Sequence, residues 1–349
     1  MTAPSSDPGR RILVVGPAWV GDMVMAQSLL IHLRQNVNVE RLDVLAPAWS
    51  LPLLQRMPEV SAAIVAPFGH GRLGLAARRR LGRELAPRGY HQAILLPNSW
   101  KSALVPYWAR IPLRTGYLGE QRWGLLNDIR RLDRGAVPMT VQRFVALASP
   151  PTDPPPAIDA LPHPSLRTDP AAVRQTLSAL ALGTDRAPVL ALCPGAEYGP
   201  AKRWPAEYFA EVARDRLQRG WQVWLLGSQN DAPVTAEIGS LCGGDTVDLA
   251  GRTSLEQVID VLAHCSAVVS NDSGLMHVAA ALGRPLTALF GSSDPAATPP
   301  LSESAQVLHL DLPCSPCLQR DCPLGHLDCL RKLSPSRVIA TLNERDAPA

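Results

Sequence analysis

Short apolar runs alternate with longer amphipathic stretches along both halves of the 349-residue chain. The strand-like runs are RILVV, RLDVLA, AAIVA and HQAILL in the first half, and PVLALC, QVWLLG, DTVDLA, AVVSN and PLTALF in the second. Stretches with helical spacing of apolar residues lie between them, such as DMVMAQSLLIHLRQ and PAEYFAEVARDRLQRG. This alternation predicts an α/β fold whose parallel sheets are covered by helices on both faces.

A proline-rich stretch separates the two halves. Residues 149–164, SPPTDPPPAIDALPHP, contain seven prolines and few bulky apolar side chains, as is typical of a semi-rigid linker. We therefore predict an N-terminal domain over 1–150, a linker over 151–168 and a C-terminal domain over 169–349, with the last helix packing back on the N-terminal domain. Two Rossmann-like domains facing a central cleft would bind ligands outside the carboxyl ends of their strands.

Composition and charge restrict the class of protein. Apolar residues make up 46% of the chain, yet no run approaches the ~18 apolar residues of a membrane span. The run ILVV is too short for the core of a signal peptide, which predicts a cytoplasmic protein. Residues 1–150 hold 19 Lys and Arg against 9 Asp and Glu, whereas the remainder holds 15 against 22. The basic half predicts an anionic partner, although a scattered, solvated basic surface would give the same count.

The loop VVGPAWVGDM places two glycines five residues apart after an apolar run. A phosphate loop needs Lys and then Ser or Thr after the second glycine, whereas this chain has Asp22 and Met23. A carboxylate there would repel a phosphate at the same helix N-terminus. Asp22 could cap the helix or act as a general base at the end of a strand.

The segment SNDSGLMHVAAALGRP, residues 270–285, begins at a strand end and continues into a helix. The backbone N–H groups and the helix dipole at Asp272, Ser273 and Gly274 favour an anion such as a diphosphate. His277 lies in the first turn, close enough to contact it. An Asp/Ser cap on a buried, Ala-rich helix would explain the first residues but is less natural for His277.

A second loop adds cations to this candidate diphosphate site. In CPGAEYGPAKRWPAEYF a strand runs into a loop that carries Lys202 and Arg203. The chain has no D-x-D motif, so a magnesium-bound diphosphate is not expected. The cations and the helix N-terminus would stabilise the departing diphosphate, with no cofactor required for catalysis.

Four of the seven cysteines lie in CSPCLQRDCPLGHLDC. In a cytosolic chain such crowding favours metal binding or redox chemistry over disulfides. Zinc or iron could be held tetrahedrally, with His326 as a possible substitute ligand; four reduced thiols in a loop are the alternative. The candidate structural ligands are Cys314, Cys317, Cys322 and Cys329.

The segment from Leu96 to Asp128 combines cations with aromatic side chains. Asn98 and Lys101 follow a strand end and should face the cleft, and Arg114 adds positive charge. Aromatic residues beside cations suit a sugar, a membrane interface or single-stranded nucleic acid, and core aromatics with a basic rim are the alternative. Asn98, Lys101 and Arg114 are therefore candidate ligand-binding residues.

Together these motifs resemble the ADP-heptose:lipopolysaccharide heptosyltransferases of Gram-negative bacteria, glycosyltransferase family 9. The resemblance is carried by ILVVGPAWVGDM, LPNSWKSALVP, RTGYLGE, GLLND, PGAEYGPAKRWP, NDSGLMHVAAAL and FGSSDPAATPPLS. It implies a GT-B fold and inverting, metal-independent transfer of L-glycero-D-manno-heptose from ADP-heptose to heptosyl-Kdo2-lipid A during inner-core biosynthesis. The anionic glycolipid acceptor implies peripheral contact with the inner face of the inner membrane.

The resemblance also implies residue roles. Asp22 matches the family's catalytic general base, and some relatives carry an acidic residue where this chain has Gln229. The implied donor-binding residues are Lys202, Gly227, Asp272, Ser273, Gly274 and His277. With an acceptor on the N-terminal domain, Asn98, Lys101 and Arg114 become the candidate acceptor-binding residues. The basic first half would meet phosphates and Kdo carboxylates, with the solvated helix face Arg78–Arg83 as a candidate contact.

Three alternatives stay open. A heptosyltransferase of the same family could use a different acceptor. A nucleotide-sugar epimerase of similar fold would keep the ADP-sugar site without needing a basic half. A nucleic-acid-binding protein would use the same basic charge, although we expect no nucleic acid as partner.

Overall fold

The computed structural model describes residues 9–68, 73–183 and 187–346. They fall into two compact units, Met1–Pro164 and Ser165–Ala349. The boundary between the units lies at the end of the proline-rich stretch.

The described residues of the first unit form a six-stranded parallel sheet in the order β3-β2-β1-β4-β5-β6. The strands are β1 Arg10–Val15, β2 Val39–Ala46, β3 Ala62–Val65, β4 Gln92–Leu95, β5 Leu113–Tyr117 and β6 Asp128–Arg130. The helices are α1 Val20–Asn36, α2 Leu51–Leu54, α3 Leu75–Leu85, α4 Leu104–Trp108 and α5 Thr140–Ala146. The central strands are continuous apolar runs because helices cover both faces of a parallel sheet.

The described residues of the second unit form a second six-stranded parallel sheet, in the order β12-β11-β10-β7-β8-β9. Its strands are β7 Val189–Cys193, β8 Gln222–Leu225, β9 Val247–Asp248, β10 Ala267–Asn271, β11 Leu286–Leu289 and β12 Ala305–Leu308. Its helices are α6 Pro170–Ala179, α7 Ala206–Gln218, α8 Ala232–Leu241, α9 Leu255–His264, α10 Gly274–Ala281, α11 Asp328–Arg331 and α12 Pro335–Asp346. The predicted α/β class with two Rossmann-like sheets is confirmed.

Three strands among the described residues were not predicted from the sequence, namely β5, β6 and β12. They carry polar residues that break the apolar pattern. In β5, Thr115 is fully buried, but its hydroxyl accepts from Gln92 Nε2 at 2.9 Å and donates to Asp128 Oδ2 at 2.8 Å. β6 and β12 lie at sheet edges, where one side of the strand needs no partner and a short, polar sequence suffices.

The last helix, α12, contacts other elements of the second unit. It packs on α7 and β11, with Asn343 Oδ1 accepting from Arg216 Nη2 at 2.5 Å and the Thr287 and Thr341 hydroxyls 3.0 Å apart. The predicted packing of this helix on the N-terminal domain stays a prediction. The bonded pairs are polar residues distant in sequence, which apolar periodicity does not detect. Among the described residues, no helix is both long and apolar enough to span a bilayer.

Candidate functional site

Asp22 lies in the first turn of α1, directly after the turn that leaves β1. The helix begins at Val20 and its N-cap is Trp19, so Asp22 is not the capping residue. Its carboxylate is half-buried and lies at the N-terminal end of the helix. Gly16 permits this turn because a Cβ there would lie 2.8 Å from the Met23 side chain. A carboxylate at a strand end can accept a proton from a bound hydroxyl.

A cavity of about 830 Å³ opens at the carboxyl ends of β1 to β4 in the first unit. Its walls come from the turns that follow these four strands, among them Gly16, Trp19, Trp49, Phe68, Asn98 and Lys101. Trp19 and Ala18 of this wall belong to the turn that precedes Asp22. The structure therefore brings the predicted acceptor residues Asn98 and Lys101 to one cavity, next to the turn that carries the candidate base.

Arg114 does not reach this cavity. It is the second residue of β5, near the amino end of the strand, whereas the cavity lies at the carboxyl ends. Its Nε and Nη1 donate to the carbonyl oxygens of Leu125 and Ile111, both at 2.6 Å, and burial lowers its pKa. The guanidinium thus ties together neighbouring segments, and we withdraw Arg114 as an acceptor-binding residue.

Arg122 supports the cavity wall, a role that the sequence analysis missed. Its side chain is only 1% exposed. It donates to the carbonyl oxygens of Tyr117 at 2.5 Å and Pro97 at 2.7 Å, and to the Ser102 hydroxyl at 3.1 Å. Burial lowers its pKa to about 10, so it stays charged at neutral pH. Arg122 therefore orders the loop that carries Asn98 and Lys101. A lone Arg in the segment EQRWG does not reveal this structural role in the sequence.

Arg78 is buried, so the predicted solvated face Arg78–Arg83 is wrong at its first residue, although Arg78 lines the cavity of the first unit. Arg78 is 6% exposed. Its Nε and Nη1 donate to the carbonyl oxygens of Leu73 at 2.7 Å and Lys101 at 3.1 Å, and its guanidinium lies 3.7 Å from the centre of the Phe68 ring. Burial lowers its pKa. Arg79, Arg80 and Arg83 are exposed, as predicted.

In the second unit, Lys202, Asp272 and His277 come together at the carboxyl end of β10. Lys202 Nζ lies 2.5 Å from Asp272 Oδ2. Ser273 is the N-cap of α10 and Gly274 its first residue, so unpaired backbone N–H groups lie beside the ion pair. Burial lowers the pKa of His277 to about 4 although Asp272 raises it, so the imidazole is neutral at pH 7. A cation, a helix N-terminus and a neutral ring that can donate a hydrogen bond suit an anionic ligand.

Asn271 joins this site to the loop that carries Lys202. Its Nδ2 donates to the Pro194 carbonyl oxygen at 2.7 Å, and its Oδ1 accepts from the Trp204 N–H at 3.1 Å. One buried side chain therefore holds both ends of the loop between β7 and α7 against the end of β10.

Gly227 follows β8 and packs tightly on Asp231. A Cβ at Gly227 would lie 2.8 Å from the Asp231 Cβ, and one at Gly195 would lie 2.5 Å from the Asp231 carboxylate. Asp231 Oδ2 accepts from Ser228 N at 2.9 Å and from its hydroxyl at 2.7 Å. The capping box SQND signals this acidic residue, which the sequence analysis missed. Asp231 thus holds the loops after β7 and β8 together.

The four clustered cysteines line one small cavity, about 10 Å³, together with Ser292 and His326. All four are free thiols. Backbone N–H groups, first that of Leu327, lower the pKa of Cys322, whereas burial and then the other three thiols raise the pKa of Cys329. Within the described part of the chain, no three His, Cys, Asp or Glu side chains already stand as a metal-ligand set.

Known proteins resemble this chain over its whole length. Residues 78–328 match the family "Glycosyltransferase family 9 (heptosyltransferase)". Lipopolysaccharide heptosyltransferase 2 of Escherichia coli K12 is 46% identical over 95% of this chain and 97% of its own. Lipooligosaccharide heptosyltransferase 2 of Haemophilus ducreyi is 42% identical over 96% of this chain and 99% of its own.

A solved structure is also similar over nearly the whole chain. The E. coli ADP-heptose lps heptosyltransferase II superposes with a TM-score of 0.85 at 43% identity, covering 97% of this chain and 100% of that one. This similarity, together with the two parallel sheets, confirms the predicted GT-B fold. The family match and the 46% identity over 95% of the chain show that this enzyme belongs to glycosyltransferase family 9, the heptosyltransferases.

Proposed function

We propose that this enzyme transfers L-glycero-D-manno-heptose from ADP-heptose to heptosyl-Kdo2-lipid A, with inversion, in the assembly of the lipopolysaccharide inner core. The observation that carries the proposal is 46% identity, spread over 95% of the chain, to a lipopolysaccharide heptosyltransferase 2. The two candidate sites agree with it, since one suits a diphosphate and the other is a large cavity beside a carboxylate.

The donor would bind to the second unit. Lys202 and the N–H groups at Ser273 and Gly274 would neutralise the diphosphate, and the neutral His277 ring would donate a hydrogen bond. Negative charge grows on the diphosphate as the anomeric C–O bond breaks. Hydrogen-bond donors and cations that are already fixed in place stabilise that charge without reorganisation, which lowers the activation barrier of transfer. Gly227 would shape the donor site indirectly, because it lets Asp231 pack against the loop after β8.

The acceptor would bind to the first unit, with Asp22 as general base. A carboxylate pKa lies far below that of a sugar hydroxyl, so the proton would move to Asp22 late, as the new C–O bond forms. Asn98 and Lys101 in the cavity wall would bind acceptor hydroxyl and anionic groups. The diphosphate in the other unit would leave with its electron pair on the phosphate oxygen.

The proposal includes peripheral contact with the cytoplasmic face of the inner membrane, where the lipid-linked acceptor lies. Three tryptophans at or next to the cavity are exposed: Trp19 by 55% and Trp49 and Trp100 by 37% each. Tryptophan favours the interface between lipid headgroups and water. The exposed arginines of α3 would attract the anionic surface.

Mass spectrometry tests the proposed reaction. Purified protein is incubated with ADP-heptose and heptosyl-Kdo2-lipid A, and the lipid should gain the mass of one heptose. Transfer only to another acceptor would reassign the substrate within the family. Conversion of ADP-heptose at the same rate without any acceptor would contradict transfer and favour an epimerase.

The exposed arginines of α3 give a test of acceptor charge. We expect Arg79→Glu/Arg83→Glu to raise the acceptor KM about three- to tenfold at low salt, with donor KM unchanged, because surface charges act through screened attraction. Less of this variant should sediment with anionic lipid vesicles. Arg174→Glu/Arg337→Glu is a control with the same charge change on exposed arginines of α6 and α12. If salt changed the acceptor KM of the wild type and of the variant equally, the result would contradict contact between these arginines and the acceptor.

The four-cysteine cavity fits a structural metal. Its lining is rich in soft thiolate ligands, and the buried Ser292 hydroxyl in that lining has no hydrogen-bond partner among the residues that the structure describes. We propose that one zinc or iron ion binds Cys314, Cys317, Cys322 and Cys329 and stabilises the loop without taking part in transfer. The thiols would have to turn towards the ion.

Elemental analysis tests this site. Protein purified without chelators should contain about one zinc or iron per chain, and Cys322→Ser should lose it. Cys242→Ala, which removes a thiol outside the cluster, should keep the metal. Metal-free wild-type protein would show that the four residues are free thiols. Chelation that stops transfer while the protein stays folded would contradict a purely structural role.

A further inference from the structure

The loop that contains three of the four clustered cysteines, Cys314, Cys317 and Cys322, touches the loop that carries Lys202. We call residues 313–327 the Cys-rich loop and residues 194–204 the donor loop. The Ala201 N–H donates to the Arg320 carbonyl oxygen at 3.0 Å, and the Tyr198 hydroxyl donates to the Leu318 carbonyl oxygen at 3.0 Å. Two hydrogen bonds therefore join the loops on either side of Gly199.

Gly199 shows how closely the two loops approach. A Cβ at this position would lie 2.6 Å from the Arg320 carbonyl oxygen, which is far inside van der Waals contact. The Tyr198 ring beside it has two cations near its centre, the Lys202 ammonium at 5.2 Å and the Arg320 guanidinium at 5.7 Å. Lys202 is thus coupled to the Cys-rich loop through the backbone and through this ring.

The Cys-rich loop is itself fixed to the sheet of the second unit. The Leu318 N–H donates to the Ser292 carbonyl oxygen at 2.7 Å, and the Ser315 hydroxyl donates to the Gly291 carbonyl oxygen at 2.7 Å. Gly291 and Ser292 directly follow Phe290 at the carboxyl end of β11. The Cys-rich loop therefore connects the end of β11 to the middle of the donor loop, while Asn271 holds the two ends of the donor loop.

We infer that the Cys-rich loop is the positioning element of the donor site, because it holds the donor loop in the position in which Lys202 contacts the diphosphate. The inference rests on the proposed function, since it takes Lys202 as a diphosphate ligand. A loop held in its binding conformation before the ligand arrives loses less entropy on binding, so the support should act on donor affinity. An ion bound by the four thiols would stiffen the same support.

Two glycine variants test this with a matched design. Gly199→Ala should push the donor loop away from Arg320. Gly119→Ala should push the acceptor-side loop away in the same manner, because its Cβ would lie 2.6 Å from the Asn98 carbonyl oxygen. We expect Gly199→Ala to raise the ADP-heptose KM and the Kd of ADP about tenfold, with the acceptor KM unchanged and kcat within about threefold. Gly119→Ala should raise the acceptor KM and leave ADP affinity unchanged.

Tyr198→Phe is a milder variant that carries the test if Gly199→Ala does not fold. It removes the hydrogen bond to Leu318 and keeps the ring beside Lys202. We expect a two- to tenfold higher Kd for ADP by calorimetry, about the effect of one hydrogen bond. Wild-type ADP affinity in both variants would overturn the inference, as would equal loss of ADP affinity in Gly199→Ala and Gly119→Ala. Wild-type protein that binds ADP but transfers no heptose would overturn the proposed function and leave this comparison valid.

Discussion

Asp22→Asn is expected to lower kcat for heptose transfer by 10²–10⁴-fold, the usual contribution of a general base, while ADP-heptose and ADP still bind. Asn has nearly the same shape as Asp but cannot accept the proton of the acceptor hydroxyl at neutral pH. Asp22 lies in the first turn of α1, and a side chain of the same size should fit there, so the fold should be kept. The donor residues belong to the other unit, which is why donor binding should not change.

Single-turnover kinetics would measure the loss of transfer, and calorimetry with ADP would measure whether nucleotide binding is kept. Glu84→Gln is a suitable control, because it removes one exposed negative charge from the same unit without approaching the cavity wall. Turnover of Asp22→Asn within about tenfold of wild type would rule out the general-base role. Loss of ADP affinity in this variant would indicate a structural defect instead.

Lys202→Ala is expected to weaken ADP binding and to reduce kcat/KM for ADP-heptose by about 10²–10³-fold. A hydrogen bond to a charged group contributes about 1.5–3 kcal/mol. The variant also leaves Asp272, which is 6% exposed, without its cation beside the diphosphate. Removing one partner of a buried ion pair is more harmful than removing both, because an uncompensated charge remains.

The double variant Lys202→Met/Asp272→Asn separates binding from stability. It should recover much of the thermal stability that Lys202→Ala loses, because no buried charge remains unpaired. It should not recover ADP affinity, because the cation is still absent. Full recovery of ADP affinity in the double variant would show that Lys202 only neutralises Asp272, and unchanged affinity in Lys202→Ala would exclude it from the donor site.

The proposed donor residues lie near one another, as the order of strands and helices in the sequence predicts. Each of Lys202, Asp272 and His277 follows a strand end in the sequence, and parallel strands of one sheet have their carboxyl ends at the same edge. Alternation of strands and helices was therefore sufficient to bring these residues together. The same argument placed Asn98 and Lys101 at the cavity of the first unit.

The arginines show where the sequence was insufficient. Arg78, Arg114 and Arg122 look like the exposed arginines beside them, yet each is bonded to backbone carbonyl oxygens of other segments. A guanidinium can be buried only where several acceptors surround it. For these three arginines, the acceptors belong to segments up to some 25 residues away in the chain.

The sequence by itself determined the α/β class, the two sheets and the chemical groups at the strand ends, because apolar periodicity and parallel pairing are local or depend only on strand direction. The tertiary structure decided which cations are free to meet a ligand, because that depends on long-range carbonyl acceptors. It also decided that the four cysteines share one cavity and that their loop touches the donor loop at Gly199. Such contacts arise only when loops from different strand ends are brought side by side.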